Sequence, residues 1–183
     1  MLPSLHVKSR MAPSDLSPCW WPCFRRMHVP TIEIGRPVRQ PRGRLLTEGG
    51  IERAVQLAAI DMGATGAVFI ILDSEGDCPA ELGPLLLSRA QNARPDKRVT
   101  VVLAHHEFEA WFLASASSLA GRRRLRDNIH DHPAPETVPG CKEWLEQWMP
   151  PNARYSETTD QAALAAVFNL ATRAESAFIR QAV

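Results

Sequence analysis

The chain has 183 residues, 45% of them hydrophobic and 22% charged, with a formal net charge of +1. That balance excludes a disordered chain and suits one domain with its own core; near-neutrality excludes a global field for nucleic acid, though not a local basic patch. No apolar run nears the ~20 residues a bilayer requires, and the first residues lack an apolar h-region, so the expectation is a cytoplasmic chain with no membrane partner.

Cys19, Cys23, Cys78 and Cys141 have no CxxC spacing and read as reduced thiols rather than as a zinc site or a disulfide framework. Residues 1–30 stand apart from the rest. They hold adjacent Trp20 and Trp21 among scattered prolines, without helical or strand periodicity. They are expected to be an atypical, disordered segment ahead of a domain over 31–183. Residues 31–34 alternate as a short strand. Arg36, Arg39, Arg42 and Arg44 follow among Pro37, Pro41 and Gly43. This basic segment reads either as a solvated connection or as a strip facing phosphates. Residues 51–62 put Ile51, Ala54, Val55, Ala58 and Ala59 on one helical face, between Gly50 and Gly63.

The central stretch is 67–79, AVFIILDSEGDCP. An apolar run with β-branched and aromatic residues, closed by turn residues, predicts a strand buried on both faces, as in a parallel sheet covered by helices. The spacing predicts a helix over 80–93, with Pro79 in its first turn, and a second strand over 98–104. Strand, helix, strand, helix, strand implies right-handed crossovers and a mostly parallel α/β sheet. Further helices are expected over 107–120, 141–149, 158–170 and 171–181. The third of these would be capped by Thr158 or Thr159, with Asp160 at the positive end of its dipole. Arg122, Arg123, Arg124 and Arg126 form a basic cluster before a proline-flanked loop.

Ligands of open α/β sheets sit outside the carboxyl ends of the strands. There the sequence places Asp73, Glu75 and Asp77 at alternate positions, with Glu107 and Glu109 beyond the neighbouring strand. Five carboxylates in one crevice would repel and raise each other's pKa; a hard divalent cation such as Mg²⁺ relieves that. The alternative is that they decorate solvated loops and a helix N-terminus. Two residues apart, Glu107 and Glu109 diverge by about 200° on a helix, so both face the crevice only if Glu107 precedes the helix. Glu107 is favoured nearer the ion. The pairs His105–His106 and His130–His132 lack metal-ligand spacing, and no Walker loop, GxGxxG or nucleophile elbow is present. Trp111, Trp144 and Trp148 read as core rather than as base-stacking platforms.

The strings PVRQPRGRLL from Pro37, LDSEGDCPAELGPLLL from Leu72, AHHEFEAWFLA from Ala104, KEWL from Lys142 and YSETTDQAAL from Tyr155 resemble the bacterial DUF4276 family. The resemblance covers roughly residue 30 to the C-terminus. That family is regarded as TOPRIM-like, which implies a small three-layer, Rossmann-like domain with a helical C-terminal part. It also implies a Mg²⁺- or Mn²⁺-dependent site for cutting nucleic-acid phosphodiesters, and a partner ATPase in a defence-type system by analogy. On this resemblance Asp73, Glu75 and Asp77 match the metal-holding DxD motif. Asp73, Asp77 and Glu107 are the catalytic candidates, and Glu107 and Glu109 match the EFEAW acids. One departure matters: the apolar first strand ending in a glutamate is missing from the start of the chain. The site is then impaired, and the alternative is a non-catalytic scaffold or binding subunit of a partner ATPase. A third reading is that the annotated start is wrong and the chain does not fold as written.

Overall fold

Two apolar runs pair along their whole length as parallel strands, β3 (Ala67–Asp73) and β4 (Arg98–Ala104), in register from Ala67 opposite Arg98 to Asp73 opposite Ala104. The structure is a computed structural model that describes residues 5–8, 33–60, 62 and 66–169. The described residues form two compact units, one ending at Ala104 and one beginning at His105.

In the first unit the sheet has the order β2-β1-β3-β4, with β1 at Leu5–Lys8 and β2 at Glu33–Ile34. This corrects two expectations. A strand does occur in the opening stretch, and it lies beside β3. It also runs antiparallel to both β3 and β2, so the sheet is mixed and the parallel pairing is that of β3 with β4. The strand β1 reads LHVK and brings no acidic residue.

The core of this unit lies between the sheet and two helices, α2 (Gly50–Ala59) and α3 (Pro79–Ala93). Ile51, Val55, Ala58 and Ala59 of α2 and Leu86 and Ala90 of α3 meet Val68, Ile70 and Leu72 of β3 and Val99, Val101 and Leu103 of β4. The expected apolar face of 51–62 is thus the buried one. Before α2 comes a short helix, α1 (Arg42–Leu46), in the basic segment. Five residues make a marginal helix alone. Here Leu45 is buried, and Arg89 of α3 donates to the carbonyls of Leu46 and Thr47 while forking onto Glu52 of α2 at 2.7 and 2.9 Å. The chain turns from α1 to α2 at Gly49, which has a left-handed φ of 73°, and Gly50, where a Cβ would overlap the Arg44 carbonyl oxygen.

The second unit is helical. It holds α4 (Ala110–Ala114), a 3₁₀ turn (Ala116–Leu119), a second 3₁₀ turn (Pro135–Thr137), α5 (Cys141–Gln147), a π-type turn (Glu157–Gln161) and α6 (Ala162–Ala165). Phe108, Phe112, Leu113, Leu119, Leu145 and Leu164 are buried. The Phe112 ring meets Phe108 and Phe168 edge-on, with centroids 5.3 and 5.4 Å apart. The single helix expected over 107–120 is broken at Ser115. Its hydroxyl donates to the Asn169 carbonyl, and that of Ser118 donates to the Ser115 carbonyl, the competition with backbone bonding that serine brings to helix interiors. The helix expected over 158–170 is likewise shorter, and that over 171–181 lies outside the described residues. No helix among the described residues is long and apolar enough to cross a membrane.

Candidate functional site

Asp73 is the last residue of β3. The parallel ladder runs one bond further, from the Ser74 N–H to the Ala104 carbonyl at 2.8 Å. Ser74 is buried, and the chain then turns sharply. The Asp77 N–H donates back to the Ser74 carbonyl at 2.9 Å, and Glu75 sits at a left-handed φ of 50°. Pro79 starts α3 at once. The three carboxylates therefore belong to one tight turn at the carboxyl end of the central parallel strand. The Asp73 Oδ1 atom is shielded from solvent, whereas Glu75 and Asp77 are exposed.

This turn holds a cation from its own chain. Arg42, at the start of α1, donates from Nε to the Asp73 carbonyl at 2.9 Å and from Nη2 to the Ser74 carbonyl at 3.0 Å. Its Nη1 lies 3.2 Å from Glu75 Oε2, and its Nη2 also pairs with Asp77 Oδ2. Two carbonyl and two carboxylate oxygens thus converge on one guanidinium. Oxygen donors of this kind are those a hard divalent cation takes, so the donor chemistry of the turn fits Mg²⁺ or Mn²⁺. Within either unit, among the described residues, no three His, Cys, Asp or Glu side chains are gathered closely enough to hold a metal on their own. Closure around an ion would therefore require the turn's side chains to re-aim.

Glu107 and Glu109 lie in the second unit. Glu107 precedes α4 and Glu109 is its N-terminal flanking residue. Their environments differ sharply. Glu109 is 1% exposed and accepts from Tyr155 Oη at 2.9 Å and Gln161 Nε2 at 3.0 Å. Burial pushes its carboxyl above the usual glutamate range, against the pull of Tyr155 and Lys142. Tyr155 is itself buried against this carboxyl, which raises its pKa and keeps it a neutral donor. Glu107 is half-buried, with Oε1 3.8 Å from Lys142 Nζ; its Oε2 is shielded and has no hydrogen-bond partner among the described residues. Lys142 also pairs with Glu157 at 2.6 Å. Burial opposes the Lys142 charge, but Glu157, Glu109 and Glu107 outweigh it and raise its pKa. In turn Lys142 draws Glu157 down to about 2.

Asp160 is not the dipole partner expected at a helix start. It is 0% exposed and accepts from Arg123 Nε at 3.0 Å and Nη2 at 2.8 Å, from Arg124 at 3.5 Å and from the Ser156 N–H at 2.9 Å. Arg123 and Arg124 both hold left-handed φ, 46° and 69°. Two of the four arginines in the basic cluster are thus engaged inside their own unit. The histidines of 130–132 pack edge-on against tryptophans, His130 on Trp148 and His132 on Trp144.

Arg42, Lys142, Tyr155, Gln161 and Asp160 were not foreseen as site residues. Their signal lay in the strings from Pro37, Lys142 and Tyr155, which carried the resemblance without showing what each residue touches. A family model described as "Domain of unknown function (DUF4276)" matches residues 22–178. No curated protein and no solved structure matches the chain.

Proposed function

The chain belongs to the DUF4276 family, and we propose that it is a TOPRIM-like, Mg²⁺- or Mn²⁺-dependent nuclease-type protein acting on nucleic-acid phosphodiesters. One observation carries this reading: the turn after β3 directs two carbonyl and two carboxylate oxygens at a single cationic group. Asp73, Glu75 and Asp77 are the residues that would hold the metal. A metal there supplies Lewis-acid stabilisation of the oxygens of a scissile phosphate. The chain's own part is to fix those carboxylates on a strand end tied to β4, so that little reorganisation is needed at the site. The exposed Arg36, Arg39 and Arg44 suit contacts to a phosphate backbone.

The test is cleavage of labelled single- and double-stranded DNA and RNA by the full chain with Mg²⁺ or Mn²⁺. The reading predicts metal-dependent products that Asp73→Ala abolishes. No cleavage by a folded chain on any of these substrates would contradict it.

A second reading is a non-catalytic scaffold or binding subunit, of which a partner ATPase is the candidate partner. It is favoured by β1, which supplies LHVK, without a glutamate, beside the central strand. Co-purification with a partner from the native host, with no metal response, supports this reading.

A further inference from the structure

We propose that Arg42 is a resident, displaceable cation of the turn at 73–77, so that a divalent ion enters only by exchange with its guanidinium. The inference rests on the metal reading above and adds to it a control on metal occupancy.

The same oxygens cannot serve both groups at once. The guanidinium holds Glu75 at 3.2 Å and the Asp73 and Ser74 carbonyls at 2.9 and 3.0 Å. Mg²⁺ requires its oxygens at about 2.0–2.1 Å in near-octahedral array. Oxygens drawn that close to an ion leave no room for a planar fork among them, and two cations on shared ligands repel. The turn carries three carboxylates against one guanidinium, so negative charge remains to attract an ion from solvent.

Withdrawal of Arg42 is feasible. Its side chain is 20% exposed and Glu75 and Asp77 are more than half exposed, so the guanidinium has a path to water. The segment that carries it does not depend on it alone. Arg89 holds the other end of α1 through the Leu46 and Thr47 carbonyls, and Leu45 is buried. Arg42 can therefore leave the turn while α1 stays docked.

The test is calorimetric titration of Mn²⁺ into the full chain and into Arg42→Gln, with heteronuclear NMR of the Arg42 Nε–H in the wild-type chain. Loss of the competing charge is expected to tighten binding about tenfold or more. The Nε–H resonance is expected to move with the same midpoint as metal binding. Equal or weaker binding by Arg42→Gln overturns the exchange and leaves the metal reading standing. So does a wild-type Nε–H signal that stays put while metal binds, a result that needs no variant to fold. Absence of binding to both folded chains overturns the metal reading, and the exchange with it.

Discussion

Arg42 Nη1 lies 3.2 Å from Glu75 Oε2, across 33 residues of intervening sequence (75 − 42), and ties the short helix α1 to the end of the central strand. The same side chain bonds two main-chain carbonyls. Its carboxylate partners are exposed, so their ion pairs add little; the carbonyl bonds matter more. Arg42→Ala is expected to cost about 1–2 kcal/mol in urea unfolding without metal. A loss below the error of the measurement would show that α1 is held elsewhere.

The two glycines flanking the start of α2 and the one inside α1 should respond oppositely to alanine. A Cβ at Gly50 meets the Arg44 backbone, which cannot step aside as a side chain could. Gly50→Ala is expected to destabilise by about 2 kcal/mol. Gly43 lies within α1 with nothing within 4 Å of its Cβ position, so Gly43→Ala should stabilise by roughly 0.5–1 kcal/mol. Thermal melts of the two variants check both signs.

Asp160 gathers Arg123, Arg124 and the Ser156 N–H in the second unit. Asp160→Ala leaves that N–H without its acceptor and frees two arginines, both substantially exposed, to reach water. A loss of about 2 kcal/mol is expected in urea unfolding. An unchanged midpoint would mean that the π-type turn holds without its anchor.

The raised pKa of Glu109 has a definite sign. Ionisation costs more in the folded chain than in the unfolded one. This group's penalty is therefore absent at low pH, and it grows as pH rises from the ordinary 4.5 towards the raised folded value. Glu109→Gln keeps an acceptor for Tyr155 and Gln161 and cannot ionise. The variant should lose less stability than the wild type as pH rises above 4.5. Parallel curves for the two chains in denaturant titrations across that range would contradict the assignment.

Local pattern made much of the first unit legible. The strand at 98–104 has the expected bounds, and the apolar faces of β3 and α2 are those that periodicity marks. The strand Leu5–Lys8 was not legible: four residues carry too little alternation, and what makes them a strand is pairing with distant residues of β3. The break at Ser115 depends on hydroxyl bonds that helical periodicity ignores. The acids after β3 were visible as a cluster, but their cation was not. Arg42 stood in a row of arginines, and nothing local distinguished it from Arg39 or Arg44. Glu107 and Glu109 read as one pair, yet burial and Tyr155 separate them into a shielded, hydrogen-bonded acid and a lysine-paired one.

The central claim is that the turn at 73–77 binds a divalent cation. Calorimetric titration of Mg²⁺ into the full chain and into the Asp73→Ala/Asp77→Ala variant tests it most directly, with circular dichroism to show that both are folded. Saturable binding by the wild type that vanishes in the double variant is the predicted result. Binding of equal strength in both, or none in a folded wild-type chain, would contradict it.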